Sequence, residues 1–251
     1  MAETTRPAPT AGPDRADPEG HALNRQLRTP PDRYGQRLGT TLSAEALQQN
    51  VMAAETASLA GTFAALARTG SVPRAAQLLL GSRRRFVMGE GKSAAYAALL
   101  NADLAATLSN VFLVDGHALA PLTVLSDVRA SDVLVLFSLR RYRRETIALG
   151  RLFRRAGGHL VVVTDSPEAP AARDASVLIV VDTGSASYAD SPTAVAAVCQ
   201  LLSALTAAAS KGSARRLRRR DVLTSRLALY DDPSPDDPPR DDPETPAEEE
   251  R

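Results

Sequence analysis

Residues 86–94 read Phe-Val-Met-Gly-Glu-Gly-Lys-Ser-Ala, and this stretch decides the fold. An apolar run ends at Gly89, a short glycine loop follows, and an Ala- and Leu-rich segment of helix length begins near Lys92. A loop that joins a buried strand to a helix presents backbone N–H groups and the positive end of the helix dipole, both of which attract an anion. The stretch therefore predicts an anion site after the first strand of an α/β protein.

Four more short apolar runs follow, each separated from the last by a segment of helix length. Continuous apolar runs are typical of parallel strands that are buried on both faces. Their alternation with helices predicts an α/β fold with a doubly wound, flavodoxin-like, five-stranded parallel sheet. The predicted strands are 85–88, 111–114, 133–137, 160–163 and 177–181. The predicted helices between and after them are 92–108, 118–126, 143–156, 167–173 and 191–209.

The two ends of the chain differ from this central part. Residues 1–42 contain six prolines and few apolar residues, which predicts a disordered arm. Residues 231–251 hold ten acidic groups against two arginines, so this tail has a net charge of −8 and is also predicted to be disordered. The predicted domain is therefore 43–230. It begins with two leading helices, one over 43–68 and a short one with Pro73 in its first turn.

Composition excludes several classes of protein. The only cysteine, Cys199, can form neither an intrachain disulfide nor a cysteine-based metal site, and we expect no metal. No apolar stretch approaches the roughly 20 residues that span a bilayer, and the first residues lack the apolar segment of a signal peptide. We therefore expect a soluble, cytoplasmic protein that does not contact a membrane.

Residues 211–220 contain six basic residues, and spaced apolar residues continue this segment to Tyr230. A surface helix with one basic face is the simpler interpretation. A nucleic-acid contact is the alternative, although no aromatic residue interrupts the basic run and the acidic tail follows directly.

Two nucleotide-binding motifs overlap the glycine loop. The Gly-Lys-Ser triplet at 91–93 matches the end of a nucleoside triphosphatase phosphate loop, but Phe86 occupies the position where that motif requires glycine. Residues 89–94 fit the dinucleotide fingerprint G-x-G-x-x-A, and Asp115 ends the next strand where a ribose-binding acid is expected. An NAD-binding Rossmann-type domain is therefore one alternative, although no second domain remains to hold a substrate.

Three motifs, in this order, resemble the sugar isomerase (SIS) domain. They are the glycine loop at 89–93, Asp-Val-Leu-Val-Leu-Phe-Ser at 132–138 and Val-Val-Thr-Asp-Ser-Pro at 162–167. The resemblance covers about residues 45–230 and is closest to the sugar-sensing domain of MurR/RpiR transcriptional regulators. It implies the SIS fold, a phosphorylated sugar as the ligand, a regulatory role and a homodimer. We expect the dimer interface on the apolar helices 43–68 and 191–209.

In that family two loops hold the phosphate, and the resemblance assigns one contact to Ser93. The other is a Ser-x-Ser-Gly-x-Thr-x-Glu loop after the third strand. Here residues 138–145 read Ser-Leu-Arg-Arg-Tyr-Arg-Arg-Glu, so arginines replace three of the family residues while Glu145 keeps its place. Positive charges at a helix start oppose the helix dipole unless an anion neutralises them, and arginine binds phosphate bidentately. The arginines could therefore clasp a ligand, or form a structural contact on the surface.

The predicted ligand site has three walls, each at the carboxyl end of a strand. The ligand-binding candidates are Gly89, Glu90, Gly91, Lys92, Ser93, then Ser138, Arg140, Arg141, Arg143, and finally Thr164, Asp165, Ser166.

Catalysis is not predicted, and we assign no catalytic residue and no cofactor. Isomerisation of a sugar phosphate needs a general base and usually an acid. Only His117 follows a strand at the correct edge, where it could pair with Glu90 or Glu145, whereas His159 precedes its strand. A surface-loop histidine is the simpler interpretation, so binding is preferred and a sugar-phosphate isomerase is the alternative.

The resembling regulators carry an N-terminal helix-turn-helix domain that reads DNA. The first 40 residues are too few and too rich in proline for that domain, so we do not expect this chain to read DNA directly. We expect either a sensor part standing alone or a sequence that lacks its true start.

Overall fold

The computed structural model of the protein describes residues 30–38 and 43–230. The strands are β1 (Arg84–Gly89), β2 (Val111–Val114), β3 (Asp132–Phe137), β4 (His159–Thr164) and β5 (Val177–Val180). The helices are α1 (Pro30–Arg37), α2 (Ala44–Thr69), α3 (Ser71–Gly81), α4 (Lys92–Thr107), α5 (Pro121–Leu125), α6 (Arg144–Arg155), α7 (Thr193–Ala209) and α8 (Ser213–Arg226), with a 3₁₀ helix at Ala172–Asp174.

The five strands form one parallel sheet in the order β2-β1-β3-β4-β5, which confirms the predicted doubly wound topology. Met88 of β1 lies opposite Val114 on one side and Leu136 on the other. The chain order reverses between β1 and β3, and ligands bind outside the carboxyl ends of the strands at such a switch point. The loops after β1 and β3 both begin there.

Helices cover both faces of the sheet because alternate strand residues point to opposite sides. In β3, Val133 and Val135 face a core built with α2, α3, α4 and α7. Leu134 and Leu136 face a second core, in which α5 and α6 supply Val124, Leu149 and Phe153 among others. This burial on both faces explains why the strands are continuously apolar in sequence.

Helix α2 begins and ends where the sequence indicates. The Ser43 side chain accepts a hydrogen bond from the Ala46 N–H at 3.2 Å, and Gly70 ends the helix with a φ of 59°. In its middle, the Ser58 hydroxyl donates to the carbonyl of Asp182 at 2.7 Å, and the N–H of Asp182 donates to the Thr62 hydroxyl at 2.9 Å. Helix α2 therefore fixes the segment that follows β5.

Two predicted helices are wrong in extent or kind. The helix predicted at 167–173 is replaced by turns that end in the 3₁₀ helix, because Pro170 lacks an N–H and disfavours a helical conformation in the residue before it. The helix predicted at 118–126 is shortened to α5, because Pro121 disfavours a helical conformation in Ala120, whose ψ is 144°. The amides of residues 117–119 donate to the Asp115 carboxylate in the loop before it.

Part of the predicted disordered arm is helical, since α1 lies within 1–42. Pro30 and Pro31 stand in its first turn, where a missing N–H costs nothing, and Asp32 complements the helix dipole there. The rest of the predicted arm, 1–29 and 39–42, and the predicted acidic tail lie outside the described residues.

Within the described ranges, no single helix is long and apolar enough to cross a membrane. Helices α7 and α8 satisfy that length and composition test only as a pair, and their axes meet at 106°.

Candidate ligand-binding site

The glycine loop depends on two glycines for different reasons. A Cβ at Gly89 would lie 2.3 Å from the carbonyl oxygen of Ser93, so only glycine lets α4 start so close to β1. Gly91 has a φ of 60°, a conformation that side chains rarely adopt. The resulting turn is closed by the Ser93 N–H, which donates to the Glu90 carbonyl at 3.2 Å. Helix α4 therefore points its N-terminus at the switch point.

A cavity of about 280 Å³ lies between the loops that follow β1, β3 and β5, and we call it the carboxyl-edge cavity. Seven predicted site residues line it: Glu90, Gly91, Lys92, Ser93, Arg140, Arg141 and Arg143. Sequence reasoning missed its other lining residues, which are Arg33, Tyr96, Leu139, Thr183, Tyr188, Ala189, Asp190 and Ser191.

The charge of the carboxyl-edge cavity is positive. Five cationic side chains line it, against the two carboxylates of Glu90 and Asp190. The start of α4 adds the partial positive charge of the helix dipole. The arrangement is therefore suited to an anion.

The arginines after β3 do not all have the same surroundings. Arg143 approaches Glu90 loosely, with 3.8 Å between Nη1 and Oε2, and its side chain is 59% exposed. The Thr146 hydroxyl donates to the same Glu90 oxygen at 2.8 Å, which ties the glycine loop to α6. Arg141 is exposed at the cavity rim. Arg141 and Arg143 are therefore accessible to a ligand.

Arg140 instead faces a buried carboxylate. Its Nε lies 3.2 Å from Oδ2 of Asp165, whose side chain is only 3% exposed. The Tyr142 hydroxyl also lies close to the Asp165 carboxylate, and Arg140 is the one cation that pairs with this carboxylate in the described part of the chain. Burial and the Asp165 charge raise the pKa of the Tyr142 hydroxyl to about 12. Arg140 thus belongs to a structural contact between the second and third walls, while also lining the cavity.

Five predicted site residues lie outside the cavity lining. Gly89 is the last residue of β1, and the hydroxyls of Ser138 and Thr164 are buried, the latter next to the Tyr142 hydroxyl. Asp165 lines a neighbouring cavity of about 680 Å³, which shares Arg140, Thr183 and Asp190 with the carboxyl-edge cavity. The Ser166 hydroxyl donates to the Glu168 carboxylate at 2.5 Å.

The sequence profile of the SIS domain matches residues 78–209, which is more than half of the chain. The chain belongs to the SIS domain family. No curated protein matches its sequence.

Solved structures share the SIS fold with this chain. The sugar isomerase domain of an RpiR transcription factor from Sphaerobacter thermophilus superposes with a TM-score of 0.63 at 24% identity, covering 70% of this chain and 97% of that domain. Vibrio vulnificus NanR in complex with ManNAc-6P gives 0.62 at 14% identity, covering 84% of this chain and 75% of NanR. At these identities the likeness concerns the fold.

The predicted third wall does not line this SIS domain's cavity, and its place is taken by the segment between β5 and α7, which sequence reasoning missed. The Lys92 ammonium donates a hydrogen bond to the carbonyl of Asp190, and Arg33 of α1 forms an ion pair with the Asp190 carboxylate at 2.7 Å. Glu55 of α2 holds the segment by accepting hydrogen bonds from the hydroxyls of Ser191 and Thr193. Its position after the carboxyl end of β5 is the one sequence signal that could have revealed it.

Four of the residues weighed for other chemistries lie outside the cavity lining of the SIS domain. His117 is exposed in the loop after β2, and His159 begins β4 at the opposite end of the sheet. Asp115, the candidate ribose-binding acid, accepts hydrogen bonds from three amides of its own loop at 2.9 to 3.2 Å. Phe86 lies within β1, away from the loop itself. Among the described residues, no group of His, Cys, Asp and Glu could hold a metal ion.

Proposed function

We propose that this SIS domain is a sensor that binds a phosphorylated sugar and releases it unchanged. The observation that carries the proposal is the carboxyl-edge cavity, where five cationic side chains surround the glycine loop. NanR, with which the chain shares its fold, was solved with ManNAc-6P. That complex supports a phosphosugar as the class of molecule that the cavity takes.

The proposed phosphate contacts are the backbone N–H groups at the start of α4, the Ser93 hydroxyl, and the side chains of Lys92, Arg141 and Arg143. Backbone amides at a helix start and arginine side chains are both strong phosphate donors. Gly89, Ser138, Thr164, Asp165 and Ser166 support these groups from behind in this proposal, together with Arg140. Arg141 and Arg143 would then replace the missing hydroxyl residues of the second loop.

Binding without catalysis is proposed because none of the described residues that line the cavity is a histidine, and both of the carboxylates among them already accept hydrogen bonds. An isomerase would need a base that is free to move a proton between adjacent carbons. We place the protein in the cytoplasm and assign it a regulatory task through a protein partner, without DNA reading by this chain.

A homodimer is part of the proposal, with α2 and α7 at its interface. Phe63 and Leu205, which are 41% and 40% exposed, line an apolar groove of about 360 Å³ between these helices. Exposed apolar surface of this kind is costly in water and favours association. The variant Phe63→Asp/Leu205→Asp should sediment as a monomer. Leu122→Asp, which changes a more exposed leucine on α5, should leave the mass unchanged.

The ligand proposal is tested by thermal unfolding of the full chain with ManNAc-6P, glucose 6-phosphate, each unphosphorylated sugar and NAD. A ligand at 100 times its dissociation constant stabilises the fold by about 2.7 kcal/mol. We expect stabilisation by at least one phosphosugar, none by its unphosphorylated form, and loss of the effect in Arg141→Gln/Arg143→Gln. Arg173→Gln, an exchange in the 3₁₀ helix away from the cavity, serves as the control.

Two outcomes would overturn this function. Stabilisation by NAD alone would favour the dinucleotide alternative. Conversion of a bound phosphosugar, followed by NMR of the sugar and abolished by His117→Ala, would establish an isomerase instead of a sensor.

A further inference from the structure

A second cavity lies at the opposite end of the sheet from the proposed sugar site. Its volume is about 420 Å³, and we call it the amino-edge cavity. Its wall includes Arg85 at the start of β1, the residues that end α4, the turn between α7 and α8, and the first two turns of α8. A volume of this size falls within the range of roughly 300 to 1,000 Å³ that is typical of small-molecule sites.

Four arginines line the amino-edge cavity, and no carboxylate of the described chain does. Besides Arg85 they are Arg215, Arg216 and Arg219, all from α8. Arg215 and Arg219 are four residues apart, so they lie on the same face of the helix and repel each other. None of the four forms an ion pair within residues 30–38 and 43–230. An anion in the cavity would remove this repulsion.

Arg85 is the most deeply buried of these four arginines, because only 7% of the residue is exposed. Its guanidinium donates to the carbonyls of Leu79, Leu80 and Ser109, which uses three of its five N–H groups. Burial lowers the pKa of Arg85, and no carboxylate in the described structure offsets that effect. A buried cation without a counter-charge is costly.

The neighbouring Arg84 shows how the charge of an arginine is usually compensated, which is by pairing with carboxylates. Arg84 forms ion pairs with the fully buried Asp132, at 2.6 Å, and with Asp127, at 2.8 Å. Arg84 and Arg85 are adjacent on β1, so their side chains lie on opposite faces of the sheet. Among the described residues, only Arg84 has acidic partners on its own face. The amino-edge cavity therefore lies on the face of the sheet where Arg85 is buried, and no described carboxylate pairs with Arg85 on that face.

Capping of helix ends explains only part of this cluster. Arg85 and Arg216 bond to carbonyls at the C-termini of α3 and α4, and such contacts are favourable structural roles for cations. Arg215 and Arg219 make no hydrogen bond or ion pair to any described residue, although both line the cavity. Their placement points to a group that is not part of the fold.

We propose that the amino-edge cavity is a second ligand site, which binds a small anion carrying two phosphate groups. Arg215 and Arg219 bind one phosphate at the mouth, and the remaining N–H groups of Arg85 and Arg216 bind the other at the floor. Arginine is suited to this role because its planar fork matches two phosphate oxygens. The site is independent of the sugar site, since it shares no lining residue with the carboxyl-edge cavity.

The experiment uses inorganic pyrophosphate as the probe, titrated into the full chain by calorimetry. Arg215→Gln/Arg219→Gln should raise the dissociation constant at least tenfold. Arg218→Gln/Arg220→Gln removes the same charge from the same helix, but outside the cavity lining, and should change the dissociation constant by less than twofold. The four arginines that these two variants replace are all exposed, so both variants should fold as the wild type does, which circular dichroism checks.

Amide NMR of the full chain locates the bound probe. Pyrophosphate should shift the amides of residues 107–109 and 210–216. Equal loss of affinity in the two double variants would overturn the proposal, because it would indicate general attraction to a basic helix. Shifts confined to 89–93, or no binding by the wild type at millimolar pyrophosphate, would also overturn it.

Discussion

Replacing Arg140 with methionine should destabilise the protein, because it leaves the Asp165 carboxylate buried without a cation. The 3.2 Å separation corresponds to a Coulomb energy of about 5 kcal/mol at an effective dielectric constant near 20. Arg140 is 31% exposed, so solvent screens part of that attraction. We therefore expect a loss of about 3 kcal/mol, at the lower end of the range for breaking a buried pair.

The reverse replacement should cost less, because the charge that it leaves behind can reach water. Asp165→Asn leaves Arg140, which can turn toward solvent, and we expect a loss of about 1 kcal/mol. In Arg140→Met/Asp165→Asn no buried charge remains, so the double variant should also lose about 1 kcal/mol instead of the additive value of about 4. The cycle then gives a coupling energy of about 3 kcal/mol.

Urea unfolding at pH 7, followed by circular dichroism since the chain has no Trp, measures these free energies. Arg144→Met is the matched control, because Arg144 is exposed and makes no ion pair among the described residues; its effect should stay within about 0.5 kcal/mol. Additive losses in the double variant would refute the reasoning. Arg140 would then be a ligand group, and its replacement would reduce only the phosphosugar-induced stabilisation.

Gly91→Ala should lower the free energy of unfolding by about 1–3 kcal/mol and weaken phosphosugar binding. Gly81→Ala, where an added Cβ would meet open space, should change neither the stability nor the binding. Thermal unfolding with and without the phosphosugar measures both effects. Burial raises the pKa of the Cys199 thiol to about 12, so it should react with a disulfide reagent only in denaturant. Backbone N–H groups, first that of His117, lower the pKa of Asp115. This contribution to loop stability is therefore present above the unfolded pKa and lost as the pH falls through the folded value. Hydrogen exchange should show residues 117–119 opening in acid, and at pH 7 in Asp115→Ala.

The strands were predictable because burial on both faces leaves a continuous apolar signal. Every residue of β3 is buried, and the predicted run 133–137 differs from the observed strand only by Asp132. An apolar pattern does not include Asp132, which can be buried because Arg84, a partner 48 positions away in sequence, neutralises its charge. The error of one residue at the start of β3 thus arises from a long-range contact, which a local sequence pattern does not reveal.

The mistaken helix boundaries lie beside prolines. In the loop after β2, Pro121 favours the extended conformation of Ala120, whose ψ is 144°, so α5 begins at Pro121, and the amides of residues 117–119 donate to the Asp115 side chain instead. Asp and Asn are known for such local hydrogen bonds, but whether they form depends on the geometry of the loop. A helical pattern alone therefore predicts that a helix exists better than it predicts where it begins.

The candidate site was predictable only where a motif carries it. The glycine loop could be placed from its sequence, because Gly89 and Gly91 are required by a close contact and by a positive φ. The arginines after β3 were recognised as cations, yet nothing local distinguishes Arg140, which pairs with a buried acid, from the accessible Arg143. The wall around Asp190 has no motif at all.

That wall gives a physical basis for coupling ligand occupancy to another part of the chain. Asp190 contacts both Lys92, through its carbonyl, and Arg33 of α1, through its carboxylate. A ligand phosphate that attracts Lys92 competes with the Asp190 carbonyl for the same ammonium group. The negative charge of the ligand also repels the Asp190 carboxylate and so weakens its hold on its present position. A ligand shifts a conformational equilibrium only through different affinities for two states, and this coupling is reciprocal. In the proposed sensor, the bound phosphosugar therefore changes the stability of the contact between α1 and the cavity wall, which Arg33 makes through its ion pair with Asp190.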